Sequence, residues 1–375
     1  MIAVTGATGY MGSFLLPRLV ARDEAVRCLV RPGTDAAALA RIGAEVARGD
    51  LEEPAAVAAA LRDARVVLHL AHIRYAPAVL AGVGAGVERL VLVSSLRRFS
   101  RVADASVAAV TAGEDAVLAS ALPWVLVRPS MIYGPGDDRN ISRLAARLRR
   151  RRILPIPGSG RHLHQPVHVD DVVAGLLAAA EVQGIEGCSY ALAGAAPLTY
   201  DELVDAVGAA IGVVPRKIHL PVWLVLWGLA IADWFGLEPG IGRSQVLRLQ
   251  EEKEYSIAAA QGDLAMRHWL LPRDWPASTA NDYDCGLAYG TGYGLRRSGG
   301  LRRDLAGGGA DPALRLVRPA QRAQCSYGAD ANGWWPGCGR WLLGRCGGAV
   351  WGGQLGRGGL GGLASGVGVA LAGGH

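Results

Sequence analysis

The sequence predicts an α/β fold: a doubly wound parallel sheet covered by helices on both faces, followed by a small C-terminal lobe and a disordered tail. Three observations carry this expectation. Short apolar runs alternate with Ala/Leu-rich stretches of helical length over residues 1–130. The apolar runs are continuous rather than alternating, as in strands buried on both faces. A glycine-rich turn at residues 5–12 sits between the first such run and the first helical stretch.

Taken in order, residues 2–5 (IAVT), 26–30 (VRCLV), 66–70 (VVLHL), 90–94 (LVLVS) and 124–127 (WVLV) read as strands, being short and rich in Val, Leu and Ile. Residues 12–21, 36–42, 54–61, 76–83 and 113–120 read as the helices between them. The third of these starts on Pro54, where a missing N–H costs nothing. From about residue 130 on, Pro129, Pro135, Pro155, Pro157 and Pro166 punctuate loops around a basic helix at 142–152, and helices follow at 169–180 and 199–211. The strand–helix alternation predicts the parallel sheet and places the lobe at its C-terminal edge.

The chain of 375 residues carries a formal charge of +6 and is 51% hydrophobic, which excludes wholesale disorder. The charge is unevenly placed. Residues 1–264 hold 27 basic and 27 acidic side chains; residues 265–375 hold 12 Arg and 6 Asp, with 27 of the 52 Gly, 4 of the 6 Cys and 6 of the 10 Trp. A neutral body gives no ground for a nucleic-acid partner. Only Cys28 and Cys188 fall in the body, which fits a reducing compartment, and the N-terminus enters a strand with no leader pattern. A cytoplasmic location is the expectation. The apolar stretch 220–237 is short for a span and broken by Asp233, so it reads as a buried or surface-seeking helix with membrane-surface contact as the lesser alternative.

The turn Thr5-Gly6-Ala7-Thr8-Gly9-Tyr10-Met11-Gly12 has the residues a pyrophosphate site needs. Gly6 permits the tight turn, Gly9 lets backbone approach the phosphates, and Gly12 allows close helix–strand contact. The helix N-terminus then offers free N–H groups and a positive dipole end.

With this spacing the chain resembles the atypical and extended short-chain dehydrogenase/reductase superfamily, whose members include NAD-dependent epimerases and dehydratases. Other segments support the resemblance in the right order: Gly49-Asp50-Leu51, Leu68-His69-Leu70-Ala71, Leu92-Val93-Ser94-Ser95, Arg128-Pro129 through Tyr133-Gly134-Pro135-Gly136-Asp137, and His168-Val169-Asp170-Asp171-Val172. It covers residues 1 to about 264. The resemblance implies a Rossmann sheet, with a cofactor domain at 1–130 and a substrate lobe at 131–264. It also implies cofactor contacts from Gly6, Thr8, Gly9, Tyr10, Met11, Gly12, Asp50, Leu51, Leu70, Ala71, His72 and Ser94, and a substrate contact from Ser95.

The second strand ends in Arg31, with no carboxylate to accept a ribose 2′-hydroxyl. A guanidinium suits a 2′-phosphate, so NADP is favoured over NAD. The lesser alternative is that Arg31 stacks on adenine or faces solvent.

The superfamily's usual proton transfer needs a Tyr and, four residues on, a Lys that lowers its pKa. Residues 96–123 contain neither. Counting back from the segment 114–123 puts the expected positions at Ser106 and Val110, which cannot do that work. The remaining proton donors are Ser94, Ser95, His72, Tyr75 and Tyr133, of which Ser95 is the best placed for a carbonyl oxygen. Three readings stay open: hydride transfer on a nucleotide sugar or small carbonyl compound, a non-catalytic NAD(P)-binding sensor or accessory subunit, and a membrane-surface isoprenoid or quinone-linked reductase.

His162, His164 and His168 read as loop and capping histidines rather than a metal set, and no metal is expected. Arg147 and Arg149 to Arg152 form a basic run at a helix end, explained by the dipole or by a grip on a substrate diphosphate. Residues 265–375 show no periodicity. Restoring one G in GC-rich codons for residues 264–269 would turn Leu-Ala-Met-Arg-His-Trp into Leu-Gly-His-Ala-Pro-Leu, the continuation seen in the family. The tail is therefore expected to be an out-of-frame, disordered segment.

Overall fold

Most strands of the main sheet are apolar on both sides because each side meets its own layer of helices. The computed structural model describes residues 1–237 and 240–265. The expected out-of-frame tail, with Cys285, Cys325, Cys338 and Cys346, lies outside the described residues.

The strands are β1 (Ile2–Thr5), β2 (Val26–Val30), β3 (Glu45–Arg48), β4 (Val66–His69), β5 (Arg89–Val93), β6 (Trp124–Pro129), β7 (Ile132–Tyr133), β8 (Ile153–Pro157), β9 (Leu163–His164), β10 (Val167–His168), β11 (Cys188–Leu192), β12 (Leu198–Thr199) and β13 (Arg216–Leu220). The α-helices are α1 (Tyr10–Val20), α2 (Ala37–Arg41), α3 (Pro54–Leu61), α4 (Ala76–Gly82), α5 (Ala105–Leu118), α6 (Ile141–Arg150), α7 (Val169–Glu181), α8 (Tyr200–Ala210), α9 (Val222–Trp234), α10 (Arg243–Arg248) and α11 (Ala258–Asp263).

Seven strands pair in the order β11-β6-β5-β4-β1-β2-β3, all parallel, which is the Rossmann arrangement with one strand added beyond β6. Ile2, Val4, Val66, Leu68, Val91 and Val93 face one layer, with Leu15, Leu16 and Leu19 of α1 and Val172 and Leu176 of α7. Ala3, Val67, Leu90 and Leu92 face the other, with Val57 and Leu61 of α3, Val79 of α4 and Val110 and Val117 of α5. The period of two thus places apolar side chains in two cores at once, which accounts for the unbroken apolar runs. Arg18 of α1 and Asp170 of α7 join at 2.5 Å across the first layer.

The lobe has its own core, in which Ile141, Ala145 and Leu148 of α6 meet Leu154 and Ile156 of β8 and Leu203, Val204 and Val207 of α8. Strand β13 pairs with β8 as a parallel ribbon. The last described segment returns to the sheet: Ala260 and Leu264 join the α1/α7 core, and Tyr190 of β11 donates to Asp263 at 2.9 Å. Among the described residues, no helix is long and apolar enough to cross a membrane.

Candidate functional site

The carboxyl ends of β1, β2, β4 and β5 converge on the glycine-rich turn. Gly6 ends β1 at φ +75°, and a Cβ there would lie 2.5 Å from the Ala71 nitrogen and 2.8 Å from the Leu70 carbonyl carbon. The turn therefore fits only with glycine, on backbone conformation and on space. Gly9 is the N-cap of α1, with no side-chain cap, and its N–H bonds to the Gly6 carbonyl at 3.0 Å. The sequence expectation set Gly12 against a strand; its close approach is instead to the turn, since a Cβ would sit 2.1 Å from the Ala7 carbonyl oxygen. Thr8 and Gly9 are exposed and Tyr10 and Met11 half-buried, and the first turn of α1 has no acidic residue. Free N–H groups at this end and an open approach fit a pyrophosphate.

Thr5 and His69 hold the two strand ends together. The fully buried His69 ring contacts the Thr5 hydroxyl through Nδ1 at 2.6 Å and the His72 carbonyl through Nε2 at 3.2 Å. A carbonyl only accepts, so Nε2 carries the proton and Nδ1 accepts from Thr5. Burial brings the imidazole down to about 4, and burial likewise brings His164 in the lobe down to about 3. Both are neutral in the fold, whereas an unfolded histidine takes up its proton near 6.5. The unfolded chain therefore binds more protons below that value, and stability present above 6.5 is lost as pH falls towards the folded values. Urea unfolding at pH 7 and pH 5 should show each histidine contributing a loss of about 2 kcal/mol. His69→Asn should flatten the slope, and an unchanged slope would count against the buried neutral pair.

At the outer edge, Arg31 follows β2 and is exposed, and its guanidinium has no partner among the described residues. Sequence reasoning missed a second cation there. Arg48, the last residue of β3, donates to the carbonyls of Arg31 at 3.3 Å and Thr34 at 2.6 Å, pinning the loop that carries Arg31. Asp50 and Leu51 follow directly, with Asp50 accepting from the Glu52 N–H at 3.0 Å in a local turn. Leu70 and Ala71 line the turn opposite Gly6. His72 caps a 3-10 turn by accepting from the Arg74 N–H at 3.1 Å. Burial, then the charges of Arg74 and Arg97, lower its pKa.

The two serines after β5 differ. Ser94 donates to Glu114 at 2.5 Å, and Glu114 is wholly buried, gripped by Arg128 at 2.8 to 3.1 Å and by Arg98 at 3.2 Å. Ser95 accepts from the Arg97 N–H at 3.2 Å as a 3-10 cap, and its own proton has no acceptor among the described residues. On α5, Val110 is buried in the core and Ser106 accepts from the Arg97 guanidinium at 2.7 Å. The positions expected for a phenol and an ammonium thus hold a serine–arginine contact and a core valine. Tyr75 contacts Glu52 at 3.3 Å, and Tyr133 is buried edge-on against His168.

From the lobe, Glu251 accepts from the Ser100 hydroxyl at 2.9 and 3.0 Å and from the Arg101 N–H at 2.6 Å. Lys253 is drawn down to about 8, chiefly by burial. The three clustered histidines separate: His162 reaches Glu252 at 2.9 Å, His164 tilts against Tyr200, and His168 caps α7. Among the described residues no group of three His, Cys, Asp or Glu could hold a metal.

Residues 6–149 match a family of NAD(P)H-binding domains. The chain is 29% identical over 285 residues to the ceramide reductase of Caulobacter vibrioides, spanning 70% of this chain and 88% of that protein. It is 30% identical over 283 residues to the 4-hydroxy-2-methyl-3-oxo-4-farnesyl-3,4-dihydroquinoline-1-oxide ketoreductase of Stigmatella aurantiaca, spanning 66% and 84%. Among solved structures, the UDP-glucuronic acid 4-epimerase of Bacillus cereus in complex with UDP-glucuronic acid and NAD aligns at a TM-score of 0.59 with 18% identity, over 75% of this chain and 98% of that one. The last likeness shows the fold.

Proposed function

Because the chain belongs to the atypical, extended branch of the short-chain dehydrogenase/reductase superfamily, we propose that it is an NADPH-dependent reductase of an apolar carbonyl compound. The observation that carries this reading is the free Ser95 hydroxyl at the end of β5, on the same sheet edge as the glycine-rich turn. Support for an apolar substrate comes from the two relatives, named as a ceramide reductase and a ketoreductase of a farnesyl-bearing quinoline oxide. Support for NADP comes from Arg31 and Arg48 at the end of β2 and β3, where no carboxylate competes.

A reduced nicotinamide, when bound, supplies the hydride. The turn from Gly6 to Gly12 and the N-terminus of α1 hold the pyrophosphate. Ser95 donates a hydrogen bond to the substrate carbonyl oxygen and polarises it. Arg97, anchored on Ser106, brings a positive charge to the place where the superfamily has its tyrosine, and so stabilises the oxyanion as it forms. With no phenol–ammonium pair on α5, the proton that completes the alcohol comes from water.

The second reading, a non-catalytic NAD(P)-binding subunit, is favoured by the burial of Val110 where the ammonium would stand. One experiment separates the two. The protein is assayed for NADPH binding, then for loss of NADPH absorbance against long-chain ketones and nucleotide sugars. The reductase reading expects turnover on ketones that drops about 100-fold in Ser95→Ala with NADPH affinity unchanged. It also expects Arg31→Asp to move preference towards NADH by roughly tenfold. Tight NADPH binding with no turnover on any carbonyl would favour the accessory reading, and turnover on nucleotide sugars alone would overturn the substrate class.

A further inference from the structure

We propose that α9 and the outer face of the β8–β13 ribbon form a monotopic surface that lies on an anionic lipid bilayer. The surface is apolar, exposed and rich in indole. Trp223, Trp227 and Trp234 are 69%, 63% and 85% exposed, whereas Leu229 on the opposite side is 7% exposed. At 3.6 residues per turn the three indoles fall within an arc of about 40°. Leu224 flanks them, and Phe235 and Leu237 extend the exposed surface past the helix end. Asp233 stands to the side of the stripe, about 100° from its centre, so no acidic residue lies on it.

The ribbon that leads into the helix continues the pattern. Lys217 and His219 point from β13 towards α8, where they meet Asp205 at 2.7 Å and Asp201 at 3.0 Å. Alternation therefore turns Arg216 and Ile218 outward, beside Ile153 and Pro155 in register on β8. Ile153 and Ile218 are half exposed, as is the whole of this outer face. At the open end of the ribbon the Arg216 N–H bonds to the Arg152 carbonyl at 2.7 Å. This brings Arg151, Arg152 and Arg216 together, all exposed and none with an acidic partner among the described residues.

An apolar, tryptophan-bearing face with a cationic rim and no carboxylate on the stripe complements an anionic headgroup layer over a hydrocarbon edge. A second copy of the chain would set the same arginines against each other, which disfavours self-association on this face. At 13 residues α9 is about 20 Å long, enough to lie in the interface and too short to cross it. The helix packs on α10, whose Arg248 pairs with Asp104 at the start of α5, so the surface is linked to the loop that follows Ser95. The inference does not depend on the reductase reading, since vesicle binding is read without turnover.

The full chain is mixed with phosphatidylcholine vesicles with and without phosphatidylglycerol, and binding is read by co-sedimentation and by quenching of indole fluorescence with brominated lipid. Binding is expected to phosphatidylglycerol vesicles and to weaken with salt. The triple variant Trp223→Ser, Trp227→Ser, Trp234→Ser should lose at least about tenfold in partitioning. Arg151→Gln, Arg152→Gln, Arg216→Gln should remove the preference for anionic lipid. NADPH binding and circular dichroism confirm that both variants are folded. No binding to either vesicle overturns the proposal, as does binding that the tryptophan variant retains, which would place the contact elsewhere in the chain. A wild-type dimer that the tryptophan variant converts to monomer, without vesicle binding, overturns it in favour of a second copy.

Discussion

Gly6→Ala is expected to abolish measurable NADPH binding and to destabilise the fold by about 3 kcal/mol, combining left-handed backbone strain with overpacking. The two penalties have separate sources. At φ +75° an L-residue is strained wherever it stands, and a Cβ at Gly6 also meets the backbone of Leu70 and Ala71 at under 3 Å. Neither of those atoms can move alone, because Leu70 N–H bonds back to the Thr5 carbonyl at 2.9 Å and His69 locks the same strand ends. The ends of β1 and β4 must separate, and the turn that presents the α1 N-terminus moves with them. Gly43 gives the control. It too has positive φ, at +87°, but nothing lies within 4 Å of its Cβ position. Gly43→Ala should therefore cost only the strain, about 1 kcal/mol, and leave NADPH affinity intact. Urea unfolding and fluorescence titration of the two variants check this. Equal losses in both would show that strain alone matters, and unimpaired binding by Gly6→Ala would remove the turn from the cofactor site.

The sheet was legible in the sequence because its strands are buried on both faces, so local composition and tertiary burial agree. β1 and β2 have the bounds that their apolar runs suggest, and β4, β5 and β6 differ by one or two residues. The edge strand β3 was not legible in the same way. Glu45–Arg48 is an exposed edge with charged ends and no apolar run, and its partner β2 holds it through backbone bonds. Helix α5 begins at Ala105, eight residues before the expected start. Its first turns read as Ala, Ser, Val and Thr, and the signal that starts it is the Asp104 carboxylate accepting from the Val107 N–H at 2.9 Å. The glycines of the site could be read from spacing, because each answers a local need. Arg48, Arg97 and Glu114 could not, because their roles depend on partners nine or more residues away or on which carbonyl a side chain meets. The apolar stretch after β13 was readable as a helix, but only the structure shows that its tryptophans face outward.

Glu114→Ala should be the most damaging single change remote from the glycine turn, costing about 3 to 5 kcal/mol, because it leaves a buried cation without its counter-charge. Glu114 is 0% exposed and accepts from Arg128 through Nε and Nη2, from Arg98 and from Ser94. The Arg128 side chain is only 9% exposed, so water cannot replace the carboxylate. Glu114→Gln keeps the shape and one acceptor oxygen but loses the charge, and should fall between wild type and alanine. The pair is not stabilising merely because it is buried. Replacing both partners, as Glu114→Met with Arg128→Met, removes the desolvation cost along with the attraction and should recover most of the lost stability. Activity should not recover with it. The ion pair also fixes Ser94, and through the chain Ser95, at the end of β5, so the double variant should unfold near the wild-type urea midpoint while turnover stays depressed and NADPH binding persists. Measured midpoints and kcat for the four proteins decide the matter. A Glu114→Ala loss below about 1 kcal/mol would show that the cluster is solvated after all. Full activity in the double variant would show that Ser95 is positioned by its backbone alone.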